Sequence, residues 1–267
     1  MNTALMTELF RIPFMTGLGL TLLISLMGAF LRLRDEWMAA LGLPHLAAAG
    51  GIAALPLGIP PTAGAALVSG AATLVKTGLA RTGNSHFALM LILGWGGGLF
   101  LAANIHQGAV VGEGLLRGQL YFSGPMHLFT TLTVSGLFLA TLPWLNRRLL
   151  TQRFFPDHFS ANQKASWTHE AWFHLLLVAT VVPGTLAMGA LPVFALFFVP
   201  AWVAFPLARG WKQGLFFCVG IGVLAYLSAF FLAIVIDQPF GPTLTLILAL
   251  TAVLRLLPLI IYRCRRS

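Results

Sequence analysis

Gly189-Ala-Leu-Pro-Val-Phe-Ala-Leu-Phe-Phe-Val-Pro-Ala-Trp-Val-Ala204 lies inside a run, residues 171–208, that contains no Asp, Glu, Lys or Arg. At ~1.5 Å per helical residue the run is long enough for two crossings of a hydrocarbon core ~30 Å thick, with a tight turn between them. Pro183, Pro192, Pro200 and Pro206 interrupt it. Proline in a membrane helix is tolerated where neighbouring helices or a cavity satisfy the freed carbonyls. A simple anchor needs no such interruption. The stretch therefore predicts a polytopic membrane protein whose broken helices pack around something.

Composition agrees along the rest of the chain. Of 267 residues 58% are hydrophobic and 9% charged, whereas an ordinary soluble domain carries about 25% charged residues. The expected fold class is an all-α integral membrane protein, one polytopic helical bundle over residues 1–267. The net charge of +9 does not point to nucleic acid, because the basic residues sit at the ends of apolar segments, where membrane topology accounts for them. Cys218 and Cys264 form no C-x-x-C, so no disulfide framework is expected. Only Arg11 is basic ahead of the first apolar run, and Glu8 opposes it, so the run Pro13–Leu33 is expected to stay as a span and not to be cleaved as a signal peptide.

The expected spans are 13–33, 37–58, 61–80, 87–104, 125–145, 172–190, 192–208, 214–236 and 240–262. Eight spans with one re-entrant segment is the competing count, and the second segment, rich in Ala, Gly and Pro, is the one expected to kink. With nine spans, Arg32, Arg34, Lys76, Arg81, Arg147, Arg148, Arg153, Lys164, Arg209, Lys212 and the basic tail all fall on one side, the cytoplasmic side by the positive-inside rule. Arg11, Glu113, Arg117 and Asp237 fall outside. Small residues at Gly17/Gly19, Gly64/Gly70 and Gly96-Gly97-Gly98 read as close helix contacts.

Few residues carry chemistry. Gly70-Ala-Ala-Thr-Leu-Val-Lys76-Thr77 mimics a phosphate loop, but Val75 replaces its second glycine and the segment sits in an apolar span. Nucleotide binding therefore belongs elsewhere. The loop 146–170 is the longest polar segment. Pro156-Asp157 signals a helix start, and Phe154, Phe155, Phe159 and Trp167 give it an apolar face. By itself this reads equally as a helix lying on lipid or one docking into a cytoplasmic partner. His45, beside Pro44, lies in mid-span. It is either a hydrogen-bonded packing histidine or a group facing a cavity, where neutral imidazole is a ligand for zinc and other transition metals. Asp237, in Asp-Gln-Pro-Phe-Gly-Pro, reads first as a helix-ending turn at the outer surface. No H-E-x-x-H, nucleophile elbow or intramembrane carboxylate pair appears, which weighs against a metalloenzyme, a hydrolase and a gradient-driven carrier.

Gly189, Pro200, Ala201 and Ala204 together resemble the signature segment of permeases in the zinc/manganese/iron family of bacterial ABC importers. Pro13-Phe14-Met15 with Gly17, Arg32 and Arg34 ahead of His45 and Gly50, Gly118–Ser123, Asp157 with Ala161, and Asp237-x-Pro239-x-Gly241-Pro242 extend the likeness in order. The resemblance implies an importer-type helical fold in the bacterial inner membrane. It also implies a homodimer with a cytoplasmic ABC ATPase dimer and an extracytoplasmic metal-binding protein. ATP would then be bound by the partner and no catalysis carried here. It implies a metal path at His45, an outer mouth shaped by Asp237, and an ATPase contact through Phe155, Asp157, Phe159 and Ala161. The expected cargo is a divalent metal, zinc first, with manganese, iron or a metal chelate as alternatives. One departure stands out: many family members carry a carboxylate four residues before the span histidine, and here that position is Leu41.

Overall fold

The computed structural model describes residues 3–78, 84–155 and 167–264. All regular elements in them are helical: α1 (Thr3–Arg34), α2 (Ala39–Ala53), α3 (Pro61–Gly78), α4 (Ser85–Asn104), α5 (Gly108–Arg117), α6 (Pro125–Phe154), α7 (Trp167–Met188), α8 (Ala190–Ala204), α9 (Trp211–Val235) and α10 (Phe240–Cys264). Single 3₁₀ turns follow α2, α5 and α8. Nine of the ten helices coincide with the nine expected spans. Among the described residues seven are long and apolar enough to cross a membrane, and Phe240–Leu256 of α10 is a shorter apolar helix.

The charge-free stretch resolves into α7 and α8 around a single break at Gly189. Its φ of 93° and ψ of 157° suit glycine and strain any residue with a Cβ. Both helices are largely buried. α8 packs against α1, α2, α9 and α10, and Val193, Leu196 and Phe197 are fully enclosed. α2 is apolar on every side, as a helix in the centre of a bundle must be, and 13 of its 15 residues are buried. α4 and α6 are peripheral: only 17% and 22% of their apolar windows are covered, against 72% for α2 and α7. Their exposed leucines and phenylalanines therefore face lipid or another subunit.

α5 departs from the sequence reading, which left 105–124 as a loop. With three glycines in ten residues it has little intrinsic helix preference. Tertiary contact holds it instead: Leu115 is buried against Ala48 and Ile52 of α2. The small-residue reading holds only in part. Gly64 meets the Gly50 carbonyl, whereas a Cβ at Gly70, Gly96 or Gly97 would point into open space.

The ends assigned to the cytoplasm do meet. Trp211 Nε1 donates to Asn146 Oδ1 at 2.7 Å, and the ends of α1 and α3 converge on the start of α7. At the opposite end Gln119 N donates to the Ala187 carbonyl at 3.0 Å, and Tyr121 donates to the Phe230 carbonyl at 3.3 Å.

Candidate functional site

His45 is 2% exposed. Its Nδ1 lies 2.8 Å from the Leu41 carbonyl oxygen. A carbonyl can only accept, so Nδ1 carries the proton and Nε2 carries the lone pair. Nε2 is buried with no hydrogen-bond partner. A buried imine nitrogen without a partner is costly unless something binds it. His45 lines a cavity of about 300 Å³ together with Ala48, Ala49, Trp95, Gly98 and Glu113. The remaining wall is also made of small or apolar residues of α2, α4 and α5. His45 thus shows both features that the sequence offered as alternatives: it is hydrogen-bonded within α2 and it lines a cavity.

Position 41 acquires a role here. Where a carboxylate is expected the chain has Leu41, and its backbone carbonyl orients the imidazole. A hydrogen bond from the far ring nitrogen to a carbonyl is the usual means of fixing a metal-binding histidine. On the other side Trp95 lies with its ring centre 4.9 Å from that of His45. Gly94 permits this approach, because a Cβ there would stand 2.4 Å from Leu46 N and 2.6 Å from His45 C. Backbone cannot yield as a side chain can. Gly94→Ala is therefore expected to push α4 off α2, costing about 1–3 kcal/mol of stability; chemical unfolding in detergent measures this.

A second polar assembly lies at the end that carries the basic span ends Arg34 and Lys76, and the sequence reading missed it. Glu36, in the α1–α2 turn, is 1% exposed. Arg34 grips it with Nε to Oε2 at 2.9 Å and Nη2 to Oε1 at 3.3 Å. Lys76 Nζ donates to Glu36 Oε1 and lies 3.0 Å from His174 Nε2. Thr77 Oγ1 donates to the Thr73 carbonyl and stands 3.3 Å from His174 Nδ1. His174 Nε2 also stands 3.4 Å from Glu36 Oε2, so a proton on Nε2 donates to the carboxylate, whereas a proton on Nδ1 leaves Nε2 to accept from Lys76. Phe173 and Phe87 cover the Arg34 and Lys76 cations at 5.0 and 4.9 Å. Burial pushes the Glu36 carboxyl up, but His174 and the Arg34 guanidinium beside it outweigh burial and hold it well below the usual carboxylate range. Asn84 clamps the same turn, accepting from Met38 N at 2.9 Å and donating to the Asp35 carbonyl at 3.0 Å. Lys76, the lysine of the false phosphate loop, is thus a buried structural cation. The missed signal was a carboxylate and a lysine at the ends of apolar segments, with a histidine one turn inside another.

Of the other expected residues, Asp237 is exposed at the α9–α10 turn with φ 51° and does not line the His45 cavity. Phe155 closes α6 and is 67% exposed beside exposed Phe154. Asp157, Phe159 and Ala161 lie outside the described residues. Both borders of that segment are joined: Gln152 Nε2 donates to Glu170 Oε1 at 2.6 Å, and Gln152 Oε1 lies 3.1 Å from His169 Nε2.

Residues 6–258 match the ABC 3 transport family. The chain belongs to that family. Its members are membrane subunits of transporters, and ATP hydrolysis resides on a separate subunit. The chain is 25% identical over 266 residues to the chelated iron transport system membrane protein YfeD of Yersinia pestis, covering 95% of this chain and 88% of that one. Its fold is that of PsaBC from Streptococcus pneumoniae, solved in complex with Fab, with a TM-score of 0.79 and 17% identity over 93% of this chain and 91% of that one. It also superposes on a protein described as a metal-chelate type ABC transporter in an inward-facing conformation. There the TM-score is 0.70 and the identity 15%, over 98% and 90% of the two chains. The ABC 3 member described here is thus an all-helical, multi-pass permease of the bacterial inner-membrane type.

Proposed function

We propose that this chain is the permease subunit of an ATP-driven importer for a divalent transition metal, zinc first, working as a homodimer with a cytoplasmic ATPase pair and an extracytoplasmic metal-binding protein. The observation that carries the reading is His45 Nε2, a buried, unpaired imine nitrogen whose side chain lines a cavity between α2, α4 and α5. An imidazole nitrogen suits borderline cations such as zinc better than hard ones. A lone nitrogen with few fixed partners holds an ion weakly, as a path must if the ion is to leave. Exposed leucines on α3 (Leu67, Leu74) and on α4 (Leu89, Leu93), with open space beyond Gly96 and Gly97, support packing against a second copy.

Metal chelates form the second reading. The cavity of about 300 Å³ corresponds to roughly ten water volumes at ~30 Å³ each, far more than a bare ion fills, and the Yersinia pestis relative is named for chelated iron. Uptake of radioactive zinc, manganese and chelated iron into cells carrying the full transporter separates the readings. Zinc accumulation supports the first. Accumulation of chelated iron alone replaces it.

Phe154 and Phe155 support docking of segment 146–170 on the ATPase. Phe155→Ala is expected to lower cargo-stimulated ATPase activity severalfold without shifting the melting temperature. Unchanged stimulation in the reconstituted complex returns these residues to a lipid-facing role.

A further inference from the structure

The cavity that His45 enters has a second ionisable residue on its wall. Glu113, on α5, lines the same space as His45, Trp95 and Gly98. The lining runs from His45 to Ile52, seven helical steps of α2 or ~10 Å, and Ala109, Gly112 and Glu113 of α5 line the same space with Ala102 of α4. The chain has only seven carboxylates. Asp35, Glu36, Asp157 and Glu170 belong to the cytoplasmic side by the topology above. Among the described residues that line this cavity, Glu113 is the only anionic one.

A divalent cation entering such a space loses water, and the neutral His45 ring compensates none of its charge. Attraction to a carboxylate strengthens as water is excluded. Glu113 is exposed, so its charge reaches the solvent from which cargo comes. His45 is enclosed. The carboxylate therefore stands at the open end of the space and the imine nitrogen at the closed end. Resting on the metal-importer reading, we propose that Glu113 is the first cation-binding group of this path, receiving a divalent metal at the cavity mouth ahead of His45. Leu115, two residues on, anchors α5 against Ala48 and Ile52 of α2 and so fixes the helix that carries Glu113.

The test uses the full-length chain in lipid nanodiscs with Zn(II) as the probe and equilibrium dialysis as the readout. Glu113→Gln is expected to weaken Zn(II) binding about tenfold at low ionic strength, and Glu113→Asp to retain most of the affinity. Wild-type affinity should fall with added potassium chloride, and that of Glu113→Gln should fall less, because an exposed carboxylate is screened by salt. A purely structural role for Glu113 would not produce this difference. Wild-type binding by Glu113→Gln, with binding lost in His45→Ala, overturns the role of Glu113 and leaves the metal reading standing. Wild-type binding by both variants overturns the metal reading itself.

Discussion

His45→Ala is expected to cut zinc uptake at least about tenfold in cells that hold normal amounts of the protein. Orienting partners of metal-binding histidines are alone worth ~10–100-fold in affinity or activity, and here the nitrogen itself is removed. Among the described residues no group of three or more His, Cys, Asp or Glu side chains comes together, and His45 is the only imidazole on the wall of this cavity. Alanine also leaves space beside Trp95, which packs on the imidazole. His45→Leu serves as the companion variant because it refills that volume without a nitrogen. Both variants should lose uptake, and His45→Leu should keep a melting temperature near that of the wild type. Uptake at the wild-type rate in either variant removes His45 from the path.

The largest stability loss is expected at Glu36. This carboxylate receives Arg34, Lys76 and the neighbourhood of His174 at once, all buried. Glu36→Gln leaves two cations without their counter-charge. Removing one partner of a buried ion pair typically costs about 3–5 kcal/mol, and the upper part of that range applies to a hub. Lys76→Met should cost less, roughly 1–3 kcal/mol, because Arg34 still satisfies the carboxylate. The order of the two variants separates a hub from a simple pair. The carboxyl titrates lower in the folded protein than its ordinary value of 4.5. Its contribution is therefore complete above that value and is lost only as pH falls towards the depressed folded value. Between about pH 5 and 8 the loss in Glu36→Gln should be constant. Unfolding in graded detergent across that range checks both statements. Equal loss in Glu36→Gln and Lys76→Met would show that Arg34 does not share the carboxylate.

The two assemblies differ in how they relate to the sequence. His45 could be singled out because an ionisable residue inside an apolar run stands alone against its neighbours. Lys76 could not, since a lysine at a span end is what the positive-inside rule produces in any case. Glu36 sits three residues before α2 and looks like an ordinary turn residue. Its burial depends on helices that bring Lys76 and His174, 40 and 138 residues away along the chain, against it. Nothing local encodes that meeting.

The helical segments, and a turn inside the charge-free stretch, were legible in the sequence itself, because hydrocarbon forces every backbone group into a helix and leaves length, charge and proline as legible marks. The family likeness followed for the same reason, being carried by ordered Gly, Pro and Arg positions. Which face of each helix meets which neighbour was decided only in three dimensions. In lipid the exposed and buried faces of a helix are both apolar, so composition does not distinguish them. That is why α5 and the joining of Glu113 to the His45 cavity emerged from the tertiary structure alone. The unpaired state of His45 Nε2 emerged there too, because it depends on a carbonyl one turn back taking the other ring nitrogen.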